Sequence, residues 1–411
     1  MPVAFAMTFV GLLGLLWAVG PNGALGALRL LPFGTVASYS LSVIPLFILM
    51  GYFANIAGLA GGFYDFAHKW LGRLPGGLGI ASVLGCAAFA ATTGSSVACA
   101  ATMGKVALPH MAEYGYEKNF AGAIIVVAGT LGILIPPSTA AVIYGIITGT
   151  SIGKLLIAGI IPGIISALVY AGMIVVRVRL NPSLAPLAGR VVMKERLRSL
   201  KGAWGIPFVA VVVLGGLYAG IWTPTEAGAM GAFLTLCIAI VMRKLSKSNL
   251  SRSLYETLDV TILIFLILIG SFMFSQFLTL TGLPQRSAEI LTGLPNRWML
   301  LSILIAIYFL LGMFIDGISI QVLTLPILFP VVVEAGFDPV WFGIVMIKLV
   351  EIALASPPFG MNLFVILGMD RDMRSGGLIR QVWPLIGADF ITVGILVLFP
   401  QIVLFLPHRM G

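Results

Sequence analysis

Residues 129–149 read GTLGILIPPSTAAVIYGIITG, an apolar stretch of membrane-span length with two adjacent prolines, Pro136 and Pro137, at its centre. In a helix interior a proline removes a backbone donor and clashes with the preceding turn, at a cost of about 3 kcal/mol. A span that carries two must gain something from being broken. The device returns in EIALASPPFGMNLFVILG, where Pro357 and Pro358 interrupt a second apolar segment in the other half of the chain. A small, polar interruption precedes each pair at nearly the same distance: AATTGSSVACAA, centred on Gly94, stands before Pro136 as MFIDGISIQVLT, centred on Gly317, stands before Pro357. Pro162 and Pro384 follow the two pairs at matching offsets, each at the start of a further apolar run. Three landmarks in nearly one register imply an internal duplication.

Composition fixes the solvent around these segments. Hydrophobic residues make up 59% of the 411 and charged residues 9%, which excludes a set of soluble domains. Runs of about twenty apolar residues, the length a helix needs to cross hydrocarbon, occur at 3–20, 43–60, 155–176, 206–221, 227–241, 257–274 and 386–405. They are apolar all round, whereas a barrel strand would alternate, so the expected fold is an all-α polytopic membrane protein. The amino-terminal run has no basic start and no small-residue cleavage site, and is expected to be a retained first span. Cys86, Cys99 and Cys237 lie in apolar sequence without metal-ligand spacing, which favours packing over redox or metal chemistry. The net charge of +9 needs no nucleic acid, because Lys and Arg collect in short loops as the cytoplasmic bias predicts. Arg177, Arg179, Arg190, Lys194, Arg196, Arg198 and Lys201 fill one connector, and Arg243, Lys244, Lys247 and Arg252 the next.

The segments before the proline pairs, 76–112 and 297–335, each have two apolar arms around a polar centre. Two ordinary spans joined by a loop would give that pattern, as would a re-entrant hairpin. Arms of about fifteen residues are short for full crossings and favour the hairpin. Lys69, Arg73, Lys105 and Lys118 flank the first and suggest a cytoplasmic base. Glu334 and Asp338 at the exit of the second suggest the outer side, against Arg286 and Arg297 near its start. Arg371, Arg374 and Arg380 then follow the second break, as an inward exit requires. The expected architecture is a pair of inverted repeats, each with a re-entrant hairpin and a broken span, with the amino terminus cytoplasmic and the carboxyl terminus periplasmic. The expected division is 1–75 scaffold, 76–152 first hairpin and broken span, 153–296 scaffold with connectors and a lateral segment, 297–370 second hairpin and broken span, and 371–411 final span. Inverted repeats with helices broken near the midplane are the architecture of alternating-access carriers.

A helix broken at depth exposes amide donors at one half's start and carbonyl acceptors at the other's end. Around them stand Thr92, Thr93, Ser95, Ser96, Thr130, Ser138, Thr139, Asp316, Ser319, Ser356 and Asn362, which are hard oxygen ligands or neutral donors. They suit an alkali cation, and the absence of thiolates and imidazoles argues against a transition metal. Gly94, Gly132, Gly317 and Gly360 permit the turns. For any single hydroxyl the bland role is a bond back to its own helix. Asp316 is costly at membrane depth unless it serves a cation or the hairpin tip. Glu351 has Lys348 one turn before it, a pair that can neutralise itself. Glu226, in TPTEAG, suits a helix cap. His68, His110 and His408 have no partner that suggests catalysis.

At these residues the chain resembles the large membrane subunit of the tripartite ATP-independent periplasmic (TRAP) transporters, within the ion-transporter superfamily. The resemblance is carried by PLFILMGYFANIAGLA, ATTGSSVACAATMGKVALPHMAEYGYEKNFAGAI, GTLGILIPPSTAAVIYGIITGTSIGKLLIAGIIPG, TPTEAGAMGA, FIDGISIQVLTLPILFPVV and KLVEIALASPPFGMNLFVILGM, which cover most of the chain. It implies a fixed scaffold and an elevator domain that carries organic acid with sodium. It also implies a small four-helix membrane subunit, read as a separate chain because none is visible fused at this amino terminus, and a periplasmic binding protein that delivers substrate. His110 stands where the family often has an acidic residue. By the resemblance, sodium sites lie where each tip meets its break, at Gly94, Ser95, Ser96, Gly132 and Pro136, and at Asp316, Gly317, Ser356, Pro357 and Gly360. Thr93, Ser95, Ser138, Ser319 and Asn362 are the candidate contacts to a small organic anion such as a dicarboxylate, keto acid or sugar acid. No cofactor is expected beyond sodium as coupling ion. A bacterial inner-membrane location follows from the same resemblance.

No GxxxxGK[ST] is present, so ATP is not expected to act on this chain. A self-sufficient sodium and organic-anion symporter is the alternative reading. A membrane-embedded enzyme would need a metal cluster or an activated nucleophile, and none is evident. A channel does not account for inverted broken helices.

Overall fold

The computed structural model describes residues 3–187, 191–358, 360–370 and 373–410. Arg190 and Arg371, used above in the charge argument, lie outside them. Among the described residues every element is helical. Seven helices are long and apolar enough to cross a membrane, or up to nine if each bent pair counts as one span.

The duplicated segments fold alike. The first hairpin is Gly77–Thr93 and Ser96–Glu113, turning on Gly94 and Ser95. The second is Arg297–Gly312 and Gly317–Glu334, turning through Met313–Asp316. At 1.5 Å per residue the arms span about 24 to 27 Å, short of a hydrocarbon core of about 30 Å. In each pair one arm, Gly77–Thr93 or Arg297–Gly312, is shorter than the helices counted as spans, which favours re-entrant hairpins over two full crossings. After each hairpin comes a broken span. In the first, Lys118–Leu134 is bent by 42° from Thr139–Thr148 across Ile135–Ser138. In the second, Pro339–Ala355 gives way at Ser356 and the chain resumes as Met361–Met369. The Pro–Pro peptide is cis in both.

Between the starts of the two broken spans the chain makes the first broken span itself, the spans 152–180, 205–218 with the bent helix 193–203 leading into it, 224–241 and 247–281, and a hairpin that returns to its own side. That is an odd number of crossings. The repeats therefore run through the membrane in opposite senses.

Three boundaries differ from expectation. The first helix does not stop at Gly20. It bends there, at φ 75°, and runs on to Val36, because Pro21 is tolerated at the start of a new helical turn. The final span is Ser375–Leu398 rather than 386–405. The apolar run continues past Leu398, but Pro400 cannot extend the helix and instead begins the short helix Pro400–Leu404. The first basic connector contains an amphipathic helix, Met193–Ala203, lying against the amphipathic Leu59–Leu71 so closely that a Cβ on Gly62 would meet Gly202 O at 2.4 Å.

Small residues set the close packing between spans, as expected where lipid removes most of the hydrophobic drive for helix association. A Cβ on Gly270 in Lys247–Thr281 would sit 2.5 Å from Ala4 O of the first helix. Gly231 in Pro224–Val241 receives Met50 of Val43–Ile56 in the same way.

Candidate functional site

The first tip is built against the first break. Gly94 adopts φ 63°, and a Cβ there would lie 2.7 Å from Pro137 O. Thr139 Oγ1 donates to Gly94 O at 2.8 Å, and Ser96 Oγ donates to Thr130 O at 3.4 Å. Gly132 accepts the other side of the turn, where a Cβ would meet Ser95 O at 2.6 Å. Ser95 caps the returning arm by accepting from Ala98 N, and Ser138 caps the second half of the broken span by accepting from Ala141 N. The second tip uses a carboxylate. Asp316 Oδ1 accepts from Ile318 N at 3.1 Å and Ser319 N at 3.0 Å, so Asp316 is the helix cap of its tip. Gly312 and Gly317 bring this hairpin against Ala353 and Val350 of the second broken span.

Between the tips lies a cavity of about 120 Å³, lined by the opening residues of four helices, Ser96, Thr139, Gly317 and Met361. Ile133 and Leu354, from the last turns before the two breaks, lie on its wall with Ser95, Asp316 and Gln321. Among the described residues no Lys or Arg lines it. A second cavity of about 240 Å³ shares Ser95, Thr139 and Ile318 and reaches Tyr52, Asn55 and Val260 of the flanking helices. A larger open groove of about 520 Å³ near Ser151 and Trp222 has, among the described residues, no ionisable side chain on its wall and no helix-break residue.

Of the expected site residues, the central cavity gathers Ser95, Ser96, Asp316 and Gly317. Thr93 lines the second cavity and returns its hydroxyl to Phe89 O. Gly94, Gly132, Pro136, Ser138, Ser356, Pro357 and Gly360 are not among the described residues lining either cavity. Gly94, Gly132 and Ser138 instead form the tip-to-break joint. Ser356 Oγ bonds back to Ile352 O at 2.7 Å, the bland role for a helix serine. Asn362 Nδ2 donates to Val126 O at 3.1 Å, tying the second break to the first broken span, while its Oδ1 and Ser319 Oγ are buried without a partner among the described residues.

Sequence reasoning missed Gln321, whose signal is an amide one turn after a tip glycine in an otherwise apolar helix. It also found only one of the two acids that Lys348 meets. The ammonium lies 2.6 Å from Asp389 Oδ1 and 3.9 Å from Glu351 Oε2, so its main partner is the acid of the final span and not its neighbour one turn on. Tyr170 OH donates to the same Asp389 oxygen and lies 3.1 Å from both Lys348 Nζ and Thr130 Oγ1. All five side chains are buried. A lone Asp in an apolar span is the signal that would have found this knot. Glu226 forms the capping box with Thr223 that its sequence suggests.

The profile of the tripartite ATP-independent periplasmic transporter, DctM component, matches residues 1–402. The C4-dicarboxylate TRAP transporter large permease protein DctM of Pseudomonas aeruginosa is 37% identical over 407 residues, covering 96% of this chain and 94% of that protein. The sialic acid TRAP transporter large permease protein SiaM of Vibrio cholerae is 32% identical, covering 99% and 95%. In fold, the chain is similar to the YdaH transporter of Alcanivorax borkumensis, with TM-score 0.72 over 98% of each chain at 12% identity. The hairpins, the broken spans and the family match agree, and the chain belongs to the DctM component family of large membrane permeases of TRAP transporters.

Proposed function

We infer that this chain is the membrane pathway of a sodium-coupled carrier for a small organic acid. The observation that carries the reading is the cavity between the tips: four helix starts converge on a space that contains the Asp316 carboxylate and, among the described residues, no cationic side chain. Each helix start contributes a partial positive charge of up to about half a unit, and their free amides suit a carboxylate. A dicarboxylate facing Asp316 makes, with it, about three negative charges against at most about two positive from these ends. Coupling cations supply the difference. The donors available for them are hard oxygens, namely the carbonyls freed at the two breaks, Asp316 itself, and the unpartnered Ser319 Oγ and Asn362 Oδ1. These fit sodium and not a soft metal.

Residues 76–152 and 297–370 form the moving part in this reading, carrying with them Ile160–Leu180 and the final span through Tyr170 and Asp389, and sliding in an elevator motion against the remaining scaffold of 1–75 and 193–296. The chain works in the inner membrane with a small four-helix subunit and a periplasmic binding protein that hands over the acid. Relatives named for C4-dicarboxylate and sialic acid support an organic-acid cargo without choosing one.

Reconstitution tests this reading. The chain in liposomes with its small subunit, binding protein and an inward sodium gradient is expected to accumulate an acid such as succinate or L-malate, and to stop when any component or the gradient is removed. Uptake by this chain alone, indifferent to the other two, would establish the self-sufficient symporter instead.

A further inference from the structure

Gln321 is a polar group that the proposed function leaves unused. It stands one turn after Gly317, is fully buried, and lines the cavity between the tips. Among the described residues neither its Nε2 nor its Oε1 has a hydrogen-bond partner. The side chains that the second broken span places on that wall, Ile347, Val350 and Leu354, are apolar. A buried amide without partners bears its full desolvation cost, so whatever fills the cavity in the working protein is selected by its ability to relieve it.

The two ends of the amide narrow the choice. A cation satisfies Oε1 and is repelled by the Nε2 hydrogens. A carboxylate satisfies Nε2 and is repelled by Oε1. A hydroxyl both donates and accepts, and so can serve both ends from one position. A water molecule does the same between transport cycles. An unsubstituted methylene does neither.

Resting on the reading of this cavity as the cargo site, we propose that Gln321 is a specificity-determining residue that selects hydroxylated carboxylates over unsubstituted acids of the same chain length. Sites built to bond a hydroxyl reject the analogue lacking it far more strongly than apolar pockets separate homologues, because the protein's own polar atoms are left unpaired.

The test uses two matched pairs, L-malate against succinate and L-lactate against propionate. Affinities are measured by titration calorimetry in sodium on the purified chain with its small subunit, so that the binding protein's own preference does not enter. The wild type is expected to favour the hydroxylated member by about ten-fold or more. Gln321→Met, of similar volume and without polar ends, is expected to bring both ratios within about two-fold while the melting temperature holds or rises. Should that variant not fold, Gln321→Asn, which withdraws the amide by one methylene, is expected to reduce both ratios. Ratios unchanged by the substitution, as when Gln321 only holds a resident water, would overturn the proposal, and so would a wild type without preference. Failure of every acid to bind the wild type in sodium would instead defeat the cargo-site reading beneath it.

Discussion

The two halves of the molecule repeat one plan with different chemistry. The first broken span, from Lys118 to Thr148, has a lysine at its entry and no other Asp, Glu, Lys, Arg or His, and its hairpin tip is fastened to the break by hydroxyl and carbonyl bonds through Thr139, Gly94, Ser96 and Thr130. The second broken span carries Lys348 and Glu351 at full burial, and its tip is capped by a carboxylate. Among the described residues that tip meets its break by van der Waals contact at Gly312 and Gly317, with no side-chain hydrogen bond between them. Duplication preserved the backbone breaks while the side chains diverged: one half fixes its tip with neutral bonds, and the other concentrates the charge.

Removing charge from the second half should cost most. Lys348→Met leaves Asp389 and Glu351 buried without a cation, and such a deletion destabilises by about 3–5 kcal/mol. The expected result is a large fall in melting temperature, substantially recovered in Lys348→Met/Asp389→Leu; no fall would show that the knot is not the anchor of that half. The tips come next. Gly94→Ala forces a side chain into a left-handed turn, worth about 1–2 kcal/mol, and drives a Cβ onto a backbone oxygen. Gly317→Ala meets only the Val350 methyl, at the start of a helix where alanine is favoured over glycine by up to about 1 kcal/mol, so it is expected to leave stability within about 1 kcal/mol of the wild type. Equal losses in thermal unfolding would erase the distinction between a fastened tip and a merely packed one.

Smaller effects sharpen the same contrast. Asp316→Asn keeps a good cap, so stability should hold within about 0.5 kcal/mol, while the sodium concentration for half-maximal uptake rises several-fold. Ser95→Ala loses a cap worth about 1 kcal/mol and is expected to weaken sodium-dependent uptake as well. Unchanged sodium dependence in both would remove the tips from the coupling site. The least effect concerns the first hairpin's base, where burial, reinforced by His110 and opposed by Asp65, lowers the His68 pKa below the ordinary histidine value. The unfolded chain then takes the proton first, so stability should decline as pH falls below about 6.5. That decline should flatten once the folded form protonates too, and it should disappear in His68→Gln. A pH-independent melting temperature in the wild type would count against it.

The fold was largely legible in the sequence because its decisive signals are local. A proline pair breaks a helix wherever it sits, and Gly94 and Gly317 mark turns by what they lack, so both hairpins fell within a residue or two of their expected limits. Ends inside apolar runs were less legible: hydropathy is continuous from Ile386 to Phe405, and the stop at Leu398 is marked by Pro400 alone. Pairings were least legible of all. Lys348 shows Glu351 one turn away, whereas Asp389 and Tyr170 reach it only after the chain has folded. Gln321 carries no pattern either; it becomes conspicuous only when every atom around it has been accounted for.

The knot of Thr130, Tyr170, Lys348, Glu351 and Asp389 draws on both broken spans and on the two helices that follow them, one pair from each half. Pulling these four apart would strand an ammonium or a carboxylate in hydrocarbon. The same five side chains thus act as a rivet, and any sliding motion must leave it intact. The yielding seam has to lie elsewhere, and the natural place is the face where Tyr52, Asn55 and Val260 border the larger cavity: a bearing surface beside a bolted core.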